Sequence, residues 1–323
     1  MSEETARGVP QPREGRALPA PGPSTLRRML DSDILHSFLR SPVTVVAAGI
    51  TLIYLLAALF APWIAPNDPY DVAQLSLYNS DLPPMWMELG NRQFPLGTDD
   101  QGRCVLSTIL YGLRISLGVG FFAVFTSAAL GIFMGLLAGY VGGRLDSFIM
   151  RIADVQLAFP AILIALFVNG TLRGTDWGRE ISAFWILVFA LTLAFWVQYA
   201  RTVRGSTIVE KNREYVQAAR VIGLPPLVVM MRHVLPNVLG PVLVIATISL
   251  ALAILNEATL SFLGVGFPPT EPSLGALIQI GSRFLNAGEW WIAVFPGAAL
   301  AILILSINLV GDWLRDALNP RLR

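Results

Sequence analysis

Six apolar segments constrain this chain more than any other feature of its sequence. About 20 consecutive apolar residues in an α-helix are enough to cross the hydrocarbon core of a bilayer. Charged residues make up only 14% of the chain, whereas soluble domains contain about 25%. The sequence therefore predicts an all-α membrane protein with six transmembrane helices, at residues 43–64, 115–140, 149–172, 181–200, 238–263 and 291–310.

The remaining segments complete the predicted organisation. Residues 1–25 are polar and rich in Pro and Gly, which is typical of a disordered cytoplasmic tail and not of a signal peptide. Residues 26–42 mix apolar residues with arginine at helical spacing, which predicts either an interfacial helix or a simple juxtamembrane anchor. An extracytoplasmic segment is expected at 65–114, and a five-helix core at 115–323 contains a polar, basic loop at 201–237.

Two features of the spans predict local geometry. Gly131, Gly135 and Gly139 recur at four-residue spacing in the second span, a pattern that lets another helix approach closely. Pro160 interrupts the third span. Arginine and lysine are concentrated in the N-terminal tail, the 201–237 loop and the C-terminus, so the positive-inside rule predicts that both termini and this loop are cytoplasmic.

Several classes of site are not expected in this chain. A single cysteine excludes a disulfide framework, and the two histidines lie too far apart in sequence to suggest a metal site. The only lysine, Lys211, is not in a P-loop sequence, so no nucleotide site is predicted. No Ser/His/Asp or Cys/His set suggests a hydrolase. The chain is not predicted to be an enzyme, to bind a metal or cofactor, or to bind nucleic acid.

The loop at 201–237 has its own helical pattern. Residues 206–222 contain neither Gly nor Pro, Ser206 or Thr207 is predicted to cap the helix, and Gly223 is predicted to stop it. A second short helix is expected at 227–235, before Pro236. A helix with a small Ala-Ala surface between two spans is suited to insertion into a groove on another protein. An ordinary amphipathic loop is the alternative.

This loop resembles the EAA loop of ABC importer permeases. That family has Glu-Ala-Ala, three residues, Gly, nine residues, and then Ile-x-Leu-Pro. Gln217 stands here for the Glu and His233 for the Ile, and the stretch 232–237 is similar to the Arg-His-Ile-Leu-Pro-Asn variant of oligopeptide and dipeptide permeases. The resemblance implies a coupling helix that docks into an ATPase subunit, with the coupling residues Glu214, Gln217, Ala218, Ala219, Gly223, His233, Leu235 and Pro236.

A second stretch, at 94–103, resembles the Leu-Gly-Thr-Asp box that precedes the second span of peptide-type permeases. Cys104 stands where the family has Asp. Its glycines and acids predict a structured turn that hydrogen-bonds its own backbone, and a calcium loop is the weaker alternative because its ligand spacing does not fit an EF-hand. The predicted extracytoplasmic motif is Leu96, Gly97, Thr98, Asp99, Gly102 and Arg103.

Two carboxylates fall at or inside the predicted spans. Asp154 and Glu257 both lie in stretches similar to family signatures. Intramembrane acids are costly and usually face a cavity or a partner, which indicates a place on the translocation pathway or at the subunit interface. The alternative is structural: each acid bonds a neighbouring helix near the membrane edge.

The resemblance implies a type I ABC importer permease (MetI-like) fold with a cytoplasmic coupling helix, in a bacterial inner membrane. It implies the C-type permease of a dipeptide or oligopeptide importer, paired with a B-type permease, two ATPase subunits that hold ATP and Mg²⁺, and an extracytoplasmic solute-binding protein. Glutathione, nickel or another metal chelate, and opines are alternative substrates. A proton-coupled transporter using Asp154 and Glu257, or a structural scaffold, would be a different class of protein.

Overall fold

The computed structural model describes residues 38–69, 71, 77–268, 271 and 273–317, without the side chains of Leu77, Trp177 and Arg179. Every regular element in these residues is helical, and Thr98 and Cys104 form an isolated β-bridge. The all-α prediction is confirmed. The predicted tail at 1–25 and most of the predicted interfacial helix at 26–42 lie outside the described residues.

The α-helices follow one another with short breaks. In chain order they are α1 Pro42–Leu59, α2 Ala61–Ile64, α3 Val105–Val141, α4 Gly143–Leu157, α5 Ala161–Arg173, α6 Asp176–Glu180, α7 Ala183–Glu210, α8 Glu214–Val221, α9 Pro226–Val229, α10 Leu235–Phe262, α11 Leu274–Phe284 and α12 Trp291–Ala317. A π-helical turn, Met230–Val234, joins α9 to α10. Within the described residues five helical segments are long and apolar enough to cross a bilayer, or six if α4 and α5 together form one span.

The helices α4 and α5 meet at an angle of 92°. Phe159 and Pro160 lie between them, outside both helices. Proline has no N–H to donate to the preceding turn, and its ring moves the residue before it away from helical backbone angles. The predicted interruption of the third span at Pro160 is therefore confirmed, as a sharp bend.

The centre of the bundle is the contact between α3 and α7, which pack along the predicted glycine stripe. A Cβ atom at Gly135 would lie 2.5 Å from the carbonyl oxygen of Ala200, and one at Gly139 would lie 2.8 Å from Cβ of Thr207. Gly131 contacts Tyr199 in the same way. These distances are shorter than van der Waals contact, so only glycine permits this helix separation. The predicted close approach is confirmed.

Gly135→Ala is expected to destabilise the protein by about 1–3 kcal/mol, because overpacking forces two backbones apart. The matched control is Gly205→Ala on α7, where an added Cβ meets nothing within 4 Å. That change should be neutral or stabilising by up to about 1 kcal/mol, since alanine favours helix. Thermal unfolding of the purified protein in detergent measures both, and equal melting temperatures would contradict the packing argument.

Several predicted boundaries shift; the helix of the sixth span, for example, continues past residue 310 to Ala317. The second span begins at Val105 and not at residue 115, so the end of the predicted extracytoplasmic segment 65–114 is helical. The fourth span continues past residue 200 to Glu210. The predicted helix 227–235 is α9 plus the π-turn, and it runs into α10 without a break because Pro236 lies in the first turn of α10, where its missing N–H costs nothing.

Helix α11 was not predicted. It is too short to span a bilayer, and it packs between α10 and α12: a Cβ at Gly281 would meet the backbone of Ala293 at 2.5 Å. The hydroxyl of Ser273 accepts a hydrogen bond from the N–H of Ala276 at 3.2 Å and caps the helix start. A serine before an amphipathic run was the available signal.

The two motifs predicted from sequence lie at opposite ends of α3. Residues 94–103 precede α3 with only Cys104 between them, whereas Nζ of Lys211 donates to the carbonyl oxygen of Gly139 near the last turn of α3, at 2.7 Å. A 37-residue helix is roughly 55 Å long at 1.5 Å per residue. We name these two ends of the bundle the motif end and the loop end.

Candidate functional site

The loop at 201–237 presents the short helix α8, which stops in a fixed geometry. The N–H of Leu224 donates to the carbonyl oxygen of Ala219 at 3.2 Å, and the N–H of Gly223 donates to that of Arg220 at 2.9 Å. This pair of bonds is the Schellman motif, which needs a residue in the left-handed region. Gly223 has a φ of +87°, so the predicted stop is confirmed.

The predicted start of this helix is wrong. Ser206 and Thr207 lie inside α7, which continues to Glu210, and α8 begins only at Glu214. Thr207 is fully buried, and its Cβ fills the space left by Gly139 on α3. The threonine was predicted to be a cap, but its side chain is used for packing between spans.

Helix α8 has one buried face and one exposed face. Val216 and Ala219 are 0% and 4% exposed and pack against α3, α7 and α10. Glu214, Gln217 and Ala218 are exposed. The expectation that both alanines pack into a partner's groove is therefore corrected, because Ala219 is already buried in its own chain and only Ala218 is accessible.

The exposed face continues into an apolar edge. Val221 and Ile222 are 87% and 77% exposed, and Leu227 and Met231 beyond the turn are also exposed. A contiguous exposed apolar surface commonly marks a protein–protein contact. At the loop end of the bundle, this surface and the exposed face of α8 together form a candidate docking surface.

Tyr215 connects α8 to the two long helices on either side of it. Its hydroxyl donates to Oε1 of Glu210, the last residue of α7. It accepts from Nδ2 of Asn237, in the first turn of α10, at 2.9 Å. Burial, followed by the bond to Glu210, raises the pKa of Tyr215 to about 12, so the phenol keeps its proton near neutral pH.

The predicted residues His233, Leu235 and Pro236 lie at the junction of the π-turn with α10. The π-turn is closed by the N–H of Leu235, which donates to the carbonyl oxygen of Met230, five residues earlier. The carbonyl oxygen of His233 accepts from Nδ2 of Asn237 at 2.8 Å. Asn237 and Tyr215 were not predicted as site residues; only their position in the loop could have indicated them.

Gln217, which replaces the glutamate of the family pattern, has a partner in its own chain. Its Nε2 donates to the carbonyl oxygen of Asn212 at 3.1 Å, across the turn before α8. An ionised glutamate has no donor and cannot form this bond. The substitution therefore exchanges a charge for a bond that holds the turn preceding α8.

At the motif end, Asp99 organises the turn. Its Oδ2 accepts from Nε of Arg103 at 2.6 Å, and its Oδ1 accepts from the backbone N–H groups of Gln101 and Arg103 at 3.0 and 2.8 Å. Asp99 and Arg103 are 1% and 2% exposed. The predicted turn that bonds its own backbone is present, and its positive-φ residues are Gly97 and Gly102.

The rest of the motif attaches the turn to the spans. The carbonyl oxygen of Thr98 accepts from Nε1 of Trp291, the first residue of α12, at 3.2 Å, and the hydroxyl of Thr98 accepts from the N–H of Leu82 at 2.8 Å. Leu96 packs against the main apolar core. Cys104, where the family has Asp, is buried at the start of α3 and gives no side-chain cap. These contacts attach the motif to α12 and to the apolar core of the spans.

Within the described residues no group of three or more His, Cys, Asp and Glu side chains is arranged to hold a metal ion. Burial and the nearby Asp99 raise the pKa of Asp100. Burial and the nearby Asp81 raise the pKa of Glu289. Nothing in this geometry supports the calcium-loop alternative.

Glu257 is fully buried where α3, α10 and the start of α11 meet. The hydroxyl of Ser116 donates to its Oε2 at 2.7 Å and that of Ser261 to its Oε1 at 2.8 Å, and Ser273 also bonds this carboxyl. Its exposed fraction is 0%. This geometry favours the structural alternative, in which the acid bonds neighbouring helices of its own chain.

Glu257→Leu is expected to cost about 2–4 kcal/mol, because it leaves buried hydroxyls without their acceptor. Glu257→Gln keeps one acceptor oxygen and the shape, so it should cost about 1 kcal/mol and leave transport nearly unchanged. Thermal unfolding and solute uptake measure the two effects. A stable Gln variant without transport would instead place Glu257 on the pathway.

Asp154 lies on α4 with its side chain 62% exposed and pairs with Arg201 of α7. Along the axis of α3, Arg201 lies at the height of Gly135, which contacts the neighbouring residue Ala200. Glu257 lies at the height of Ser116, which donates to its carboxylate. Nineteen residues of helix separate these levels by about 28 Å. The two acids are therefore too far apart to exchange a proton directly, and a relay between them has no geometric support.

Comparison with known proteins agrees with this architecture. Residues 131–323 match the family described as binding-protein-dependent transport system inner membrane component, and residues 32–84 match the N-terminal TM domain of oligopeptide transport permease C. In solved structures of the MetNI methionine ABC transporter in inward-facing conformations, one chain shares the fold with a TM-score of 0.52 and 22% identity, covering 66% of this chain and 96% of that chain.

Curated relatives extend over nearly the whole chain. The dipeptide transport system permease protein DppC of Haemophilus influenzae is 40% identical over 84% of this chain and 88% of its own length. That of Escherichia coli K12 is 39% identical over 96% and 98%. The di/tripeptide transport system permease protein DppC of Pseudomonas aeruginosa is 36% identical over 94% and 97%. This multi-pass membrane chain thus belongs to the family of binding-protein-dependent transport system inner membrane components, with the MetI-like fold of ABC importer permeases.

Proposed function

We propose that this chain forms half of the transmembrane pathway of an ATP-driven importer of di- and oligopeptides. The observation that carries the proposal is α8, which is anchored through Val216 and Ala219 while Ala218 and the apolar edge remain exposed. A helix held in this way between two spans can move with a partner and pull both spans along. The proposal that the substrate is a peptide is supported by the names of relatives that this chain matches over most of their length.

The proposed assembly contains this chain, a second B-type permease and two ATPase subunits, on which ATP and Mg²⁺ bind. An extracytoplasmic solute-binding protein delivers the substrate at the motif end. The loop end and both termini face the cytoplasm. This orientation is supported by the arginine and lysine bias of the loops and places α8 where an ATPase can reach it.

The proposed mechanism is alternating access. ATP binding closes the two ATPases, α8 moves with them, and the spans open the pathway outward. The binding protein then releases its solute, and hydrolysis restores the inward-facing state. Every bond change occurs on the partner subunits; this chain supplies the pathway and the mechanical contact.

The first experiment is affinity purification of the tagged chain from its native membrane, with identification of what accompanies it. We expect a second permease and one or two P-loop ATPases, and ATP-dependent uptake of a labelled dipeptide after reconstitution with the binding protein. A chain that purifies alone and transports by itself, with uptake abolished by a protonophore, would overturn the proposal.

The substrate class needs its own measurement. Calorimetric titration of the accompanying binding protein with a dipeptide, glutathione and Ni²⁺ should give saturable binding of the dipeptide. Binding of glutathione or nickel alone would retain the importer and replace its substrate. Because selectivity then lies on the binding protein, substitutions in α8 should change the rate of uptake without changing which solute is taken up.

A further inference from the structure

We infer that the hydroxyl of Tyr215 is the positioning group through which α8 moves the two spans on either side of it; this inference rests on the proposed function. Two kinds of contact hold α8 to its own chain. Val216 and Ala219 make an apolar contact with the spans. Tyr215 makes directional bonds to Glu210 and Asn237.

The two kinds of contact respond differently to a push from a partner. The apolar contact is closely packed, since Val216 is fully buried, so it resists displacement of α8 toward the spans. A hydrogen bond weakens steeply when its angle or length changes. The bonds of Tyr215 therefore add resistance to displacement of α8 along the surface of the spans, where apolar contact is non-directional.

The Tyr215 hydroxyl lies at the shared joint of three elements. Glu210 is the last residue of α7, Tyr215 is in the first turn of α8, and Asn237 is in the first turn of α10. The phenol has one proton, which goes to the carboxylate because a charged acceptor forms the stronger bond. Its oxygen is then free to accept from Asn237. One hydroxyl thus links both long helices to the helix between them.

The joint also reaches the π-turn. Asn237 donates both to Tyr215 and to the carbonyl oxygen of His233, at 2.9 and 2.8 Å. Turns of this type interrupt regular helices and occur frequently at functional sites. Other directional contacts of this region involve either the end of α3 or the turn before α8: Arg220 lies 5.2 Å from the ring centroid of Tyr140, Lys211 bonds Gly139, and Gln217 bonds Asn212. Tyr215 is the contact that includes both α7 and α10.

The test is Tyr215→Phe in the complete importer, which removes one oxygen and keeps the ring. We expect normal assembly with the ATPases and normal basal ATP hydrolysis, because Asn237 is exposed and Glu210 is partly exposed, so both can bond water. Solute uptake should fall about tenfold, and the ATP hydrolysed per solute imported should rise correspondingly, as expected for losing one bond to a charged group.

Tyr140→Phe is the matched control, because it removes a hydroxyl beside the same helix and leaves the ring under Arg220 in place. Its uptake should equal that of the wild type. The double variant Tyr215→Phe/Asn237→Ala should lose less uptake than the product of the two single effects, since both changes remove the bond between Tyr215 and Asn237. A purely structural role would lower assembly and hydrolysis together and leave the ratio of ATP to solute unchanged.

Each outcome decides between the inference and its alternatives. Wild-type uptake in Tyr215→Phe overturns the inference. If that variant fails to assemble, Glu210→Ala and Asn237→Ala, which retain the tyrosine, replace it: reduced uptake with normal assembly supports the inference, and unchanged uptake overturns it. A wild-type chain that recovers no ATPase and shows no ATP-dependent uptake overturns the proposed function itself.

Discussion

Replacing Asp99 with Ala is expected to destabilise the protein by about 3–5 kcal/mol, the usual cost of removing one partner of a buried ion pair. The carboxylate is 1% exposed and accepts three hydrogen bonds, one from the Arg103 side chain and two from backbone N–H groups. The turn also holds Trp291 through Thr98, so its loss should loosen the contact between α3 and α12. Thermal unfolding and hydrogen exchange at residues 97–104 measure both effects.

Asp100, the acid next to Asp99, provides a control whose substitution is expected to change stability in the opposite direction. Burial and the proximity of Asp99 raise the pKa of Asp100, so ionised Asp100 is disfavoured in the folded state. Asp100→Asn should therefore leave stability unchanged or increase it at neutral pH.

The raised pKa of Asp100 also determines how the stability of the protein depends on pH. A carboxyl with a raised pKa in the folded state contributes stability that is present at low pH and is lost as the pH rises through the folded-state value. The stability difference between Asp100→Asn and the wild type should accordingly shrink as the pH is lowered toward the ordinary range of aspartate. If Asp99→Ala melts like the wild type, or if the two substitutions have equal effects, the turn is not held by the Asp99 carboxylate.

The sequence predicted the spans well because their cause is local. Bilayer thickness fixes the length of each apolar segment, and Pro160 bends the third span through its own covalent structure. Helix α11 was not predicted because it is too short to span the bilayer, so bilayer thickness does not determine its length. It is stabilised by burial between α10 and α12, and this packing becomes visible only when the spans are assembled.

The loop at 201–237 shows where a local sequence pattern predicts the structure and where only packing determines it. Gly223 was predicted to stop α8 because the Schellman geometry needs a left-handed residue there. The start was misplaced because Thr207 resembles a cap in sequence but packs against Gly139 in the bundle. Glu257 shows the same limit: a lone intramembrane acid suggests a pathway, whereas its partner Ser116 lies on another helix, 141 residues away along the chain.

Tyr215 could not have been identified from the sequence as a joint. Its two partners belong to different helices, one at the end of α7 and one at the start of α10, and their distance depends on how the loop folds. For the same reason, the sequence could not show that Ala219 is buried and Ala218 is exposed. Adjacent residues on a helix point about 100° apart, so which of them is buried depends on how α8 is rotated against the spans.

Because α8 is rotated so that Ala218 is exposed, a substitution at Ala218 is expected to have a large effect on binding of the ATPase. Ala218→Trp places a bulky side chain on the exposed face of α8, where the proposed function puts the ATPase, and it leaves the buried face untouched. The variant should therefore fold normally, fail to retain the ATPase during purification, and lose uptake more than tenfold. Thermal unfolding, co-purification and uptake of a labelled dipeptide measure these three properties, and Ala218→Ser is the control for a small polar substitution.

The neighbouring position separates docking from folding. Ala219 is 4% exposed against Val216 and the spans, so Ala219→Trp should destabilise the chain itself by about 3 kcal/mol, through overpacking. The two variants carry the same new side chain on consecutive residues of one helix, and they should fail in different ways. An Ala218→Trp variant that still retains and stimulates the ATPase would mean that the partner contacts another surface. In that case the exposed apolar edge at Val221 and Ile222, rather than the face of α8 that carries Ala218, would be the next surface to test by the same comparison.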